Sequence, residues 1–245
     1  LSPDGKTVCL VTRQGAVRRL NTTDSVSVLD TPAGDVSQVL ALDSGCVALH
    51  ARETSLHRGP GLSTRLHGPA GAVARDGDAL LLLDGQQAVK VGLDGKPLGA
   101  REVGIGASAL ARVGDKLVVG YANGDVGIGP AAGGAITSKA LDHTPSSPVE
   151  ALVAGPRDTL IVGFANGEFG MWNLNDGKRL DHGRLHGPVI HLLVAGQKLY
   201  AASELGDHQV RDLSPLYKDR CALMKQVWAK VPAVWTGGAA TRMPP

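Results

Sequence analysis

Aromatic side chains are scarce in this chain of 245 residues: Phe, Tyr and Trp together make up 3%. A core built mainly on rings is excluded, so burial has to rest on Val, Leu, Ile and Ala. Cysteine is equally sparse. Cys9, Cys46 and Cys221 form no close-spaced pair, which points away from a zinc knuckle and from a disulfide framework. Cys9 and Cys46 lie inside apolar runs and read as buried thiols, an odd set that suits a reducing, cytoplasmic compartment. Neither sign of charge is in excess, with 25 Lys+Arg against 23 Asp+Glu. That balance lacks the basic stripe that nucleic acid or an anionic membrane surface would need. No apolar run reaches the ~18 residues of a membrane-spanning helix, so no span is expected. No basic segment followed by a hydrophobic block marks a signal peptide. The sequence opens at Leu1 in mid-pattern and reads as a piece of a longer polypeptide.

Glycine, by contrast, is abundant at 33 residues, and the chain repeats itself. Residues 116–128 and 159–171 align without a gap, with Asn123 matching Asn166 43 positions later. Each is an apolar run, a small-Asn-Gly turn and a second short run. This is a strand–turn–strand pattern, and Asn-Gly predicts a type I′ turn with positive φ at both central residues. A repeat of about 40–45 residues with several strands per unit is the signature of a β-propeller blade. A lone four-stranded sheet has two apolar faces it cannot bury, and stacking blades around an axis covers each face with a neighbour. The continuous run Leu80-Leu81-Leu82-Leu83 suits a sheet covered on both sides.

The same grammar extends along the chain. Strands are expected at 7–12, 16–21 and 26–29; at 36–42, 46–51, 55–58 and 64–66; and at 72–74, 79–83, 88–93 and 100–103. They continue at 108–113, 117–121, 126–128 and 135–141; at 149–153, 160–164, 169–174 and 179–184; and at 189–194, 199–203 and 209–213. Ser2-Pro3-Asp4-Gly5-Lys6, followed by an apolar strand, a Gly turn and Val17-Arg18-Arg19-Leu20-Asn21, resembles a WD-repeat blade joined after its innermost strand. In that family each blade has antiparallel strands a to d from the axis outward, with c ending in Trp-Asp; Trp172-Asn173 keeps the tryptophan. The resemblance implies an all-β propeller of four-stranded antiparallel blades. About six are visible, the first without a and the last without d, as part of a seven-bladed ring. The missing strands would come from upstream sequence, and a six-bladed ring is the rival.

Residues 1–213 are thus read as propeller and 214–245 as a C-terminal helix and tail. Ser214-Pro215 starts the helix, Leu223, Met224, Val227, Trp228 and Val231 share one face, and Pro232 stops it. That stripe suits packing on the propeller, with docking of a partner as the sharper alternative. This end resembles the closing segment of WD-repeat regions in large bacterial proteins, many of them fused to a serine/threonine kinase. The kinase motifs themselves are absent: no His-Arg-Asp and no Asp-Phe-Gly.

Little catalytic chemistry is written in the chain. There is no Gly-x-Ser-x-Gly elbow. Gly104-Ile105-Gly106 precedes a strand and opens no helix, so it cannot present helix-terminal amides to a phosphate. The eight histidines are dispersed, and no metal or other cofactor is expected. His67 and His186 stand in equivalent His-Gly-Pro stretches, which argues for a structural use. The expectation is a non-catalytic protein-interaction scaffold or sensor module, binding a protein or peptide where the d–a and b–c loops gather. The candidate residues there are Arg13, Arg52, Glu53, Gln86, Asn123, His143, Asn166, His186 and Glu204. The alternatives are the regulatory arm of a kinase whose catalytic domain lies outside this chain, and a hydrolase with its site at the central channel.

Overall fold

β-Branched and aliphatic runs punctuated by Gly, Asp and Asn produce short antiparallel strands throughout. The computed structural model describes residues 2, 6–12, 14–21, 35–59, 61–230, 233–236 and 239–242. β1 (Thr7–Val11) and β2 (Val17–Asn21) form a two-stranded hairpin. Blade 1 is β3 (Val36–Leu42), β4 (Gly45–His50), β5 (Thr54–Gly59) and β6 (Leu62–His67). Blade 2 is β7 (Ala72–Asp76), β8 (Ala79–Asp84), β9 (Gln87–Gly92) and β10 (Pro97–Glu102). Blade 3 is β11 (Ala107–Val113), β12 (Lys116–Tyr121), β13 (Val126–Pro130) and β14 (Thr137–Lys139). Blade 4 is β15 (Val149–Ala154), β16 (Thr159–Phe164), β17 (Glu168–Asn173) and β18 (Arg179–Arg184). Blade 5 has three strands, β19 (Val189–Ala195), β20 (Lys198–Ser203) and β21 (His208–Asp212). Next come the short helix α1 (Ser214–Tyr217), α2 (Arg220–Lys230), and a hairpin of β22 (Ala233–Thr236) and β23 (Ala239–Arg242).

The core is divided among the blade interfaces. Val47, Leu49 and Leu56 of blade 1 meet Leu80, Leu82 and Val91 of blade 2. Leu81 and Leu83 then meet Leu110, Leu117 and Val119 of blade 3. Val118 and Val126 meet Leu160, Val162, Phe164 and Trp172 of blade 4. Ile161, Phe169 and Met171 meet Leu199 and Ala201 of blade 5. Cys9 and Val17 of the β1–β2 hairpin close on Cys46 and Ala48 of blade 1. Successive residues of one strand therefore serve opposite interfaces, as the period of two requires.

The inner strands carry a repeated irregularity. The register shifts at Val36/Gln38, Ala107/Ala109, Val149/Ala151 and Val189/His191, so β3, β11, β15 and β19 each bulge at the same place. β7 pairs without a shift. Beside the bulge the blades approach very closely. A Cβ at Gly120 would lie 2.3 Å from Val149 Cγ1, and one at Gly163 would lie 2.7 Å from Val189 Cγ1. Each glycine makes room for the first inner-strand valine of the next blade.

At the opposite end, where a turns into b, charges stitch neighbouring blades together. Asp76 at the end of β7 is buried, with Oδ2 2.7 Å from Lys90 Nζ and Oδ1 on Arg112 Nη1 of blade 3. The equivalent Arg75 reaches Asp43 of blade 1 at 3.9 Å.

Four expectations are corrected. Among the described residues the count is five blades, not six or seven: the first strands form a hairpin, and the third strand expected at 26–29 lies outside the described residues. Cys9 and Cys46 are not separate thiols. Stacking the hairpin on blade 1 brings their Cα atoms to 5.8 Å, and they form a disulfide, while Cys221 is free and exposed. The C-terminal segment is not one helix and a loose tail. It breaks after Tyr217, restarts where Asp219 Oδ1 accepts the Ala222 N–H at 2.8 Å, and ends in a hairpin. Of the apolar stripe on α2, Leu223 and Met224 are half-buried, Val227 and Trp228 are exposed, and Val231 lies outside the described residues. The fourth correction concerns the turns at Asn123 and Asn166 and is given with the face they form.

Candidate interaction face

In each complete blade strand a leaves one end, b returns to it, c leaves again and d comes back. The b–c turns and d–a connections must therefore share that end. Hydrogen bonds tie them together in a repeated way. The Ala122 N–H donates to Gly106 C=O at 2.8 Å, Ala165 to Pro148 at 2.9 Å and Glu204 to Pro188 at 2.9 Å. In each case the b–c turn is fixed to the residues leading into strand a of its own blade.

The two Asn-Gly turns are not type I′. Only Gly124 and Gly167 have positive φ, 91° and 86°. The Gly124 N–H closes on Tyr121 C=O at 3.0 Å, and the Gly167 N–H on Phe164 C=O at 3.1 Å. These are three-residue loops with the left-handed residue in third place. Asn123 and Asn166 act through their side chains, each Oδ1 accepting the N–H two residues on at 3.0 Å. A Cβ at Gly124 would stand 2.4 Å from Pro145 O, and one at Gly167 2.3 Å from Leu185 O. Close approach and backbone conformation thus both require glycine there.

His67 and His186 each meet the b–c turn acid of the blade that follows. His67 Nε2 meets Asp84 Oδ2 at 3.0 Å. Asp207 Oδ2 accepts the His186 N–H at 3.0 Å and lies 3.1 Å from its Nδ1. The His186 backbone and ring bonds hold the Asp207 carboxyl below its ordinary range.

The described candidates all lie at this end, spread over the five blades. Arg52, Gln86, Asn123, His143, Asn166, His186 and Glu204 are exposed. Glu53 is half-buried, 3.7 Å from Arg65. Arg13 lies outside the described residues. His143 sits at φ 54°, and its carbonyl accepts Arg179 Nη1 at 3.2 Å. With Glu168, His182 and the edge of Trp172 it lines a shallow cleft between blades 3 and 4. Sequence reading missed the largest apolar groups of the face, Ile105 (82% exposed) and Leu205 (74%). The signal was available: a branched side chain isolated between Gly104 and Gly106, ahead of a strand, has no core to enter.

No group of three or more His, Cys, Asp or Glu among the described residues is placed to hold a metal. No helix among them is long and apolar enough to cross a membrane.

His57, on β5, is buried with Nε2 2.8 Å from Ser55 Oγ. Burial, and secondarily the neighbouring His50, hold it below the usual imidazole range. An unfolded imidazole takes a proton near pH ~6.5, while that of His57 stays neutral further down. The unfolded chain then binds more protons, so this part of the stability is complete above about pH 6.5 and is lost as pH falls through the folded values. The melting temperature should drop between pH 7 and 5, and His57→Gln should flatten that slope. An unchanged slope would remove the assignment.

No protein-family model matches the chain, and no curated protein does. Solved structures do. The computationally designed Ika8 protein superposes over 84% of this chain and 68% of its own, with a TM-score of 0.60 at 16% identity. The WD40 β-propeller domain of Doa1 gives 0.58 at 17% identity, over 76% of this chain and 68% of that one. BamB from Moraxella catarrhalis gives 0.56 at 17% identity, over 86% and 70%. At these identities the likeness shows the fold alone. The chain is a β-propeller with WD40-like and BamB-like structural neighbours.

Proposed function

We propose that this propeller is a non-catalytic interaction module that binds a protein or peptide across its b–c and d–a loop face. The observation that carries the reading is the composition of that face. Isolated exposed Ile105 and Leu205 stand among exposed Arg52, Gln86, His143 and Glu204, on turns fastened to the blades by repeated backbone bonds. The WD40 and BamB neighbours are consistent with such a scaffold. A hydrolase at the channel would need acids or histidines converging on it. The inner-strand bulges and the positions after them hold Ser37, Gln38, Ser108, Ala109, Glu150, Ala151, Ile190 and His191, a mixed set that favours binding. The regulatory arm of a bacterial kinase is a narrower version of the proposal, resting on sequence resemblance.

Peptides selected from a displayed random library against the folded chain test the reading. They should lose about tenfold or more in affinity on Ile105→Asp or Leu205→Asp. They should keep it on Leu98→Asp, which alters the exposed outer strand β10. Equal binding to all three variants would move the site off this face.

The Cys9–Cys46 bond favours an oxidising compartment over the cytoplasmic one expected from the cysteine count. Protein isolated without reductant should carry one alkylatable thiol, Cys221; three would withdraw the argument.

A further inference from the structure

Strands β13 and β17 are equivalent, yet what lies over them differs. In blade 3 a Cβ at Gly127 would stand 2.6 Å from Ile136 Cγ2 and 2.9 Å from Tyr121 Oη, so the chain's own side chains fill that place. In blade 4 the equivalent Gly170 lies under the Trp172 indole, and a Cβ there would stand 2.6 Å from Cη2. His182 pairs with Gly170 and Arg179 with Trp172, so both side chains share the indole's face of the sheet. With His143, Pro145 and Glu168 they border a cleft of about 230 Å³. That is short of the ~300 Å³ at which small-molecule sites begin, and leaves room for a side chain rather than a cofactor.

The cleft is preformed. The Trp172 Nε1–H donates to the Asp142 carbonyl at 2.7 Å, and Arg179 Nη1 to the next carbonyl, that of His143, at 3.2 Å. These two bonds clamp the connection that forms its wall. Among the described residues the other nitrogens of Arg179, the rings of His143 and His182 and the carboxylate of Glu168 have no hydrogen-bond or ion-pair partner. Polarity is divided along the cleft. Glu168, the only acid lining it, stands beside the b–c turn, Arg179 lies towards the other end of β17, and His182 is between them. A carboxylate between Arg179 and His182 meets donors on both sides. The exposed Leu205 is close by: a Cβ at Gly187 would stand 2.8 Å from Leu205 Cγ, and one at Gly167, next to Glu168, 3.0 Å from Gly187 O.

We propose that this cleft takes the acidic side chain, Asp or Glu, of a bound peptide whose neighbouring apolar residue rests on Leu205. The assignment rests on the reading of the loop face as a peptide-binding surface and adds what the peptide must carry. Arg179 grips the carboxylate through its free nitrogens, and His182 adds a donor beside it.

N-Acetyl-glutamate amide, titrated into the folded chain, tests the site apart from any peptide. The NMR signals of the Trp172 indole N–H and the His182 ring should shift and saturate, and N-acetyl-glutamine amide should bind about tenfold more weakly. Arg179→Gln should weaken the glutamate probe about tenfold, whereas Glu168→Gln should tighten it; side chains that merely support the fold would not give opposite signs. Arg179→Lys, which keeps the charge but loses the fork, serves if Arg179→Gln does not fold, and should weaken the probe by a smaller factor. Equal shifts with the glutamine amide, or none with the glutamate amide, overturn the assignment. Library-selected peptides give the second arm: they should be enriched in Asp or Glu and lose about tenfold on Arg179→Gln. Peptides that need Leu205 but carry no acid, and bind the Arg179→Gln chain unchanged, overturn the site and leave the loop-face reading intact. A glutamate probe that saturates in the cleft, while no selected peptide depends on Ile105 or Leu205, keeps the carboxylate site and removes that reading.

Discussion

Trp172→Ala should be the most damaging single substitution in the propeller, costing about 3–5 kcal/mol and lowering the melting temperature by on the order of 10 °C. Trp172 is among the largest fully buried side chains of the structure. It fills the interface between blades 3 and 4, edge-on to Phe164 with ring centroids 6.2 Å apart. Its Nε1–H donates to the Asp142 carbonyl at 2.7 Å, fixing the connection that leads to blade 4. Removing the indole opens a cavity and leaves that carbonyl without its donor. Trp172→Phe separates the two effects: the ring largely survives, the hydrogen bond does not, and the cost should fall to about 1–3 kcal/mol. Chemical denaturation measures both. A phenylalanine variant as unstable as the alanine one would mean that the bond, and not the volume, dominates.

Arg112→Leu should cost about 1.5–3 kcal/mol, because it takes one of two charged partners from buried Asp76 and leaves Lys90 as its remaining cation. The two ends of the pair are not alike. The Asp76 side chain is 2% exposed and that of Arg112 37%, so the carboxylate suffers when unpaired, whereas the guanidinium can turn to water. Replacing both, Asp76→Leu with Arg112→Leu, removes the buried charge and should recover much of the loss. That non-additivity is the signature to look for in a double-mutant cycle. A double variant as unstable as the sum of the singles would show that the two side chains act independently.

Most of the strands were legible because their period is local. Leu80 to Leu83, or the twin runs before Asn123 and Asn166, fix strand and turn within a dozen residues. What could not be read depends on how sheets lie against each other. Cys9 and Cys46 look unrelated at a separation of 37 and meet only because a hairpin packs on blade 1. Asp76 and Arg112 are 36 residues apart and pair across a blade boundary. The turn type was missed for a local reason. Asn tolerates positive φ, but here its side chain caps the turn and the glycine alone takes the left-handed conformation. The loop-face candidates were placed by topology, which fixes the end of each strand. Which side chains stand out there, such as Ile105 and Leu205, depends on the path of each loop.

The twin hairpins carry a hazard in folding. β12–β13 and β16–β17 are nearly the same text, and a chain still searching for its pairings could exchange one for the other, an error to which repeat proteins are prone. The strands differ where it matters. In register, Leu117 pairs with Gly129 and Leu160 with Trp172, so glycine and tryptophan occupy equivalent positions. A Cβ at Gly129 would already stand 2.5 Å from Ala135 O and 2.9 Å from Ile136 Cδ1. The blade 3 slot cannot admit an indole, and the blade 4 slot filled by Gly129 would be hollow. The largest side chain and the smallest act together as an address, telling two look-alike hairpins which place in the propeller is theirs.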